Sequence, residues 1–406
     1  MRVRHLSAAA TMLLTACLAP MDPASVPIGT LRVTLGDRAL ALDTLAVRRT
    51  VRVNAVALAR DGGYELPITA FRYASSNTAS ATVDSLGVVH AVAPGSAVIS
   101  ASTSDGSRGE ATVVVVPSSV DYDIPIGGAP GAITFSPDYT KAYVVLQGHS
   151  LAFVDAIGFF TASTMSLDAD IGDIVATGGL LYATHPAEGS VSVIATSTHE
   201  LRARVAIGGA PSGVVARGTR AWVAAGGSER IAIVDGEAFT TSFAIQGAPS
   251  AMALSGDGSL LYVAVMKDGA WSIAVLDASS GVERGRVAMP GRPSSLAVTA
   301  DAARAQRIYA VMPDIGRLAE LTLADAQPTI DRVVTIPSGA GGVAARGGEA
   351  PLVVISGSPL GIYDGATLAL LDSVTGAGTG AVALRPDGLF VFIGSAATNS
   401  VRVIGL

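Results

Sequence analysis

Cysteine occurs once in 406 residues, at Cys17, so no disulfide can form within one chain and the fold is held by burial alone. Lysine is almost missing: Lys141 and Lys267 are the only two, the other basic residues are arginines, and nowhere do they form a run. With 27 basic against 33 acidic side chains, binding to nucleic acid by charge neutralisation is excluded. Beyond the first residues no apolar run approaches the ~18 of a membrane-spanning helix. Histidine is scarce too. His90, His149, His185 and His199 follow the N-terminal stretch that holds His5, their spacings match no zinc pattern, and no cysteine is there to help. No metal or cofactor is expected. What is abundant is glycine, 46 residues, separating short Ala, Val, Leu and Ile runs. That alternation indicates many short buried strands.

The N-terminus has its own order. Basic residues Arg2 and Arg4 precede the apolar stretch 6–14, and Leu14-Thr15-Ala16-Cys17 closes it with small residues. This reads as a secretory leader, far too short to span a bilayer. The stretch resembles the lipobox of bacterial lipoproteins. The resemblance implies a signal peptide over 1–16, lipidation of Cys17 as the first mature residue, and anchoring by more than one acyl chain, as stable attachment requires. Leu18 stands where inner-membrane retention would show aspartate, so the resemblance implies the outer membrane. Loss of Arg2 and Arg4 leaves a mature net charge of about −8. Residues 17–28, with Pro20, Pro23, Ser25 and Pro27, read as a tether.

Residues 29–117 alternate with period two. Val51, Val53, Ala55 and Ala57 fall on one side, as do Ala97, Ile99 and Ala101, then Val113 and Val115. Turn signals at Asp61-Gly62-Gly63, Ser85-Leu86-Gly87, Pro94-Gly95 and Asp105-Gly106 separate the runs. Short strands at this spacing predict an antiparallel sandwich. The sequence Tyr73-Ala74-Ser75-Ser76-Asn77, then Ala81-Thr82-Val83-Asp84 and the run from Gly87 through Pro94-Gly95 to Ile99, resembles the bacterial Ig-like group 2 domain, with Tyr73 where tryptophan is usual. His90 lies within a strand and reads as a surface or packing residue.

Residues 118–406 repeat. Gly-Ala-Pro recurs at 128–130, 209–211 and 247–249, with Gly291-Arg292-Pro293 as a variant and weaker starts near Asp170, Gly339 and Gly376. After each start comes a short strand and a hairpin turn such as Ser255-Gly256-Asp257-Gly258. An aromatic-led strand follows, begun by Tyr143, Tyr182, Trp222, Tyr262, Tyr309 or Phe390. A third strand ends at Asp155, Asp235, Asp277 or Asp364, and a fourth leads on to the next unit. Four strands in each of seven units predict a β-propeller. The repeats resemble the YVTN type, without the asparagine that often closes its aromatic strand motif. The last unit ends one strand short, and 120–126 is available to complete it, which would seal the ring and remove its edges. The fold class is therefore all-β, an Ig-like β-sandwich followed by a seven-bladed β-propeller.

Gly-Ala-Pro reads as the joint between blades, since inner strands crowd the axis. The recurrent aspartates read as turn caps. Asp173, Arg217, Arg292 and Arg346 are the polar exceptions at or beside the inner strands, and arginines gathered at one mouth would suit an anionic ligand. His149 and His185 occupy matching connections of the first two units. No Gly-x-Ser-x-Gly elbow is present, and with only Trp222 and Trp271 there is no tryptophan-rich quinone docking motif. The expected function is a lipid-anchored envelope protein, non-enzymatic, whose propeller binds a protein or glycan while the Ig-like domain serves as spacer. The alternative is a lactonase-like envelope hydrolase with its site on the propeller axis.

Overall fold

The computed structural model describes residues 28–406, apart from 37–41, 47–48, 61–64, 69, 94, 117–119, 148, 300–305, 338 and 348–350. The leader, the tether and Cys17 lie outside the described residues. The chain divides into two compact units, 1–116 and 117–406.

The first unit is the Ig-like sandwich. One sheet runs in the order Ile28–Leu35, Thr50–Ala59, Val88–Ala91, Ala81–Val83, and the other Leu42–Ala46, Arg108–Val116, Gly95–Ser102, Arg72–Ser75. Leu42–Ala46 pairs parallel with Arg108–Val116; the other strand pairs are antiparallel. Alternation delivers Leu35, Ala57, Val89, Ile99 and Val113 to a fully enclosed core. Tyr73 packs at the edge of that core. The small polar residues of the unit work locally. The Asn77 amide donates to Ser80 Oγ at 2.9 Å and to the Ser96 carbonyl at 3.1 Å. The Asp84 carboxylate accepts from the Leu86 and Val88 N–H groups at 2.8 and 2.9 Å. His90 is exposed, 3.7 Å from Asp84.

The second unit is a ring of seven four-stranded antiparallel sheets. Their innermost strands are Pro130–Phe135, Ile174–Thr177, Pro211–Arg217, Ala248–Leu254, Ser295–Thr299, Val343–Arg346 and Val382–Leu384, each beside the next, with the last beside the first. The seventh blade is composite. Its outer strand is Tyr122–Pro125, antiparallel to Ser400–Gly405, with Ile124 opposite Val401. Ile124 and Ile126 are buried there. The seam is rich in rings: Tyr122 lies 4.4 Å from Phe159, Phe159 lies 5.1 Å from Phe390, and Phe135 lies 4.9 Å from Phe392. In a chain with so few aromatics, this concentrates ring packing where the ladder is not continuous in sequence.

The aromatic residue of each second strand has a definite task. Its ring is buried between blades and its polar tip reaches the next blade. Tyr182 donates to Gly236, Trp222 to Ala278 at 2.8 Å and Tyr309 to Gly365 at 2.7 Å, each a carbonyl just after the third-strand aspartate of the following blade. In the seventh blade the equivalent ring is Phe392, two residues after Phe390, and has no donor. Arg385 of the preceding hairpin supplies one instead, reaching the Ala156 carbonyl at 2.7 Å. The sixth blade carries Val354 at this place. Burial drives the Tyr182 and Tyr309 hydroxyls up to about 12, so they remain donors throughout the physiological range.

Candidate functional site: the mouth of the propeller channel

All first strands run the same way through the ring. The connections leading into them therefore share one face with the turns between second and third strands. Inner strands meet closely here: a Cβ on Gly213 would come within 2.5 Å of the Ser250 carbonyl oxygen. In the first, third and fourth blades the ladder slips between Pro130 and Ile133, Pro211 and Val214, and Pro249 and Met252. These bulges push the residues after each proline towards the axis. The result is a cavity of about 630 Å³ to which all seven blades contribute.

One layer of its wall can be aligned through the strand register. The residue that precedes the first ladder-paired apolar side chain is Ala132, Gly213, Ala251, Ser295, Gly342 or Ala381 in six blades, and Asp173 in the remaining one. The Asp173 carboxylate accepts the Ile174 N–H at 2.9 Å and, across the blade joint, the Val214 N–H at 3.0 Å. Ser295 repeats the second contact, accepting the Val343 N–H at 3.3 Å. Burial in the wall outweighs these bonds and raises Asp173 to about 6.

Arg292 reaches the same cavity from the opposite side of the ring. It occupies the place of the alanine in Gly-Ala-Pro. Its guanidinium lies 5.8 Å from the centre of the Trp271 ring, a cation–π support. Its backbone N–H donates to Asp314 at 2.9 Å. The guanidinium is exposed and forms no ion pair among the described residues.

The four polar exceptions expected at one mouth thus separate into two pairs. Asp173 and Arg292 line the cavity. Arg217 and Arg346 stand at the far ends of their inner strands and lie outside it. Each donates to a carbonyl of the next blade's hairpin, Arg217 to Gly256 and Arg346 to Gly388, both at 2.6 Å. Their stems pass over Gly258 and Gly388, where a Cβ would meet Cδ at 2.7 and 2.5 Å. They clamp neighbouring blades, and that use of the guanidinium corrects their grouping with Arg292.

His149 and His185 meet through Asp170. His149 Nδ1 lies 2.8 Å from the Asp170 carboxylate. His185 Nδ1–H donates to the Asp170 carbonyl at 2.9 Å, and its Nε2 accepts from Ser192 Oγ at 2.8 Å. Burial lowers the His185 pKa, in keeping with a neutral ring. Among the described residues, no three His, Cys, Asp or Glu side chains are grouped to hold a metal ion.

The recurrent aspartates bind backbone. Asp155 accepts from Ile157 and Gly158, Asp277 from Ser279 and Ser280, and Asp364 from Ala366 and Thr367. Asp235 differs, accepting from Thr219 Oγ and Arg220.

Two features escaped sequence reasoning. Ser212, Ser250 and Ser294 line the cavity; the recurring Pro-Ser step at 211–212, 249–250 and 293–294 was the available signal. Glu320 is wholly buried between Arg307 and Arg332. A lone acid inside Leu318-Ala319-Glu320-Leu321 marked it.

Comparison with known proteins separates the two units. Residues 45–114 match the family model described as bacterial Ig-like domain (group 2). No curated protein matches the chain. Among solved structures, hydrazine synthase of Kuenenia stuttgartiensis is similar with a TM-score of 0.59 and 19% identity, covering 68% of this chain and 96% of that one. The β-propeller domain of Cps50 (Swd1) from Myceliophteria thermophila is similar with a TM-score of 0.59 and 13% identity, covering 71% of this chain and all of that one. At these identities the likeness is one of fold: the chain carries a bacterial Ig-like group 2 domain joined to a β-propeller.

Proposed function

We propose that this chain is a lipid-anchored protein of the bacterial cell envelope. Its propeller offers the channel-mouth face to a protein or glycan, and its Ig-like domain acts as spacer. The observation that carries this reading is the composition of the channel wall. Small side chains, hydroxyls and backbone groups surround a single carboxylate and a single guanidinium. Paired carboxylates, or a nucleophile with its base and orienting partner, are what hydrolysis at the axis would need. The one acid there is already bonded to two backbone N–H groups. Such a wall suits recognition. Anchoring at Cys17 and placement in the outer membrane rest on the resemblance of Leu14-Thr15-Ala16-Cys17 to a lipobox.

Two measurements test the proposal. Cys17→Ser should abolish labelling by radioactive palmitate and move the protein from the membrane to the soluble fraction; an unlabelled parent refutes the anchor. A photo-crosslinking residue at Ile315, exposed on the channel-mouth face, should capture envelope components that the same residue at Tyr139, exposed on the opposite face, does not. Equal capture from both faces, or none, refutes the assignment of that surface.

A further inference from the structure

The blades are near-copies, so a departure from the repeat that serves no structural purpose points to a ligand. Two departures face the channel, and they have opposite sign. Asp173 interrupts a layer otherwise made of Ala, Gly and Ser. Arg292 interrupts Gly-Ala-Pro, where alanine serves at 129, 210 and 248. They belong to the second and fifth blades of seven, so they stand on opposing walls. Asp173 already holds two N–H groups, but a carboxylate offers about four lone-pair directions, which leaves room for a further donor on the cavity side. Arg292 is braced on Trp271 with its guanidinium open to a planar anion.

We propose that the channel binds a short zwitterionic peptide, its α-ammonium at Asp173 and its α-carboxylate at Arg292. This inference deepens the recognition reading above and rests on it. A free amino acid carries its two charges too close together to reach both walls. An extended chain adds about 3.3–3.6 Å per residue, so a few residues separate the charged ends. The cavity volume of about 630 Å³ lies within the range of small-ligand pockets. Between the charged ends stand Ser212, Ser250, Ser294 and bulged backbone, which match peptide amides. No aromatic ring lines the cavity, so a sugar would find no stacking platform there.

Calorimetric titration of the full chain with tri-alanine, N-acetyl-tri-alanine and tri-alanine amide tests the proposal. Tri-alanine should bind saturably, and each blocked form should bind about tenfold more weakly, as loss of one charge-assisted bond implies. Arg292→Gln, at an exposed side chain, should weaken tri-alanine binding and abolish the distinction between free acid and amide. Asp173→Asn should abolish the distinction between free and acetylated amine. Absence of saturable binding by any of the three peptides overturns the proposal, as does equal binding of all three to the parent. If the peptides fail while crosslinking at Ile315 still captures partners, the channel inference falls and the surface reading stands. If both fail, the recognition reading falls as well.

Discussion

Asp173 and Asp257 are both carboxylates of the propeller, and their surroundings push them in opposite directions. The Ser255 hydroxyl, with help from Ser259, holds Asp257 down to about 2. Its contribution to stability is complete above its ordinary value of 3.8 and is lost as pH falls through 2. Asp173, raised to about 6, binds its proton more tightly when folded. Its contribution is complete below 3.8 and is lost as pH rises through 6. Chemical denaturation of Asp173→Asn and parent across this window should show the variant gaining stability relative to the parent as pH rises; parallel curves would refute the burial effect. Glu320 poses a different problem. Its carboxylate is wholly enclosed and meets Arg307 and Arg332, which also hold the Ala366 and Thr367 carbonyls of the next blade. Glu320→Ala should cost about 3–5 kcal/mol in denaturant unfolding, because the guanidiniums lose the charge that compensates them.

Within each blade, the aromatic-led second strand was legible from sequence because its ring repeats at a fixed place. Its purpose was not, because the accepting carbonyl lies on the following blade and belongs to backbone, which carries no residue signature. Tyr309→Phe isolates that bond from the ring and should cost about 1 kcal/mol by denaturation. Arg385→Met should cost more, about 2 kcal/mol, since a charged donor is lost to Ala156 together with its contacts to Asp387 and the Phe390 ring. An Arg385 variant as stable as the parent would show that the seventh blade does without a latch. The same boundary limited the site. Asp173 and Arg292 stood out in sequence as polar exceptions, and so did Arg217 and Arg346. Sequence does not show which end of an inner strand faces the cavity, and that end divides clamp from channel wall. The turn-capping aspartates were readable because their partners lie two or three residues away; Asp235 departs because Thr219 and Arg220 reach it from the neighbouring strand.

At the scale of the molecule, the ring is sealed by one short ladder between Tyr122–Pro125 and Ser400–Gly405. Counting strands in the sequence had shown that the last unit wanted one and that 120–126 could provide it. Ile124 and Ile126 bury their side chains almost completely there, each contributing about 1.5–3 kcal/mol. Deleting 120–126 should therefore lower the propeller's melting temperature by roughly 6–12 °C or more, read by calorimetry; an unchanged transition would refute the role of the seam. The arrangement also fixes an order in time. Residues 122–125 leave the ribosome early, yet their partner strand is among the last segments made. Through nearly the whole of synthesis both free flanks of the growing wheel stay open to mispairing, and only completion of the C-terminus withdraws them. A nascent chain stalled before residue 400 should consequently depend on holdase chaperones in a way the finished chain does not.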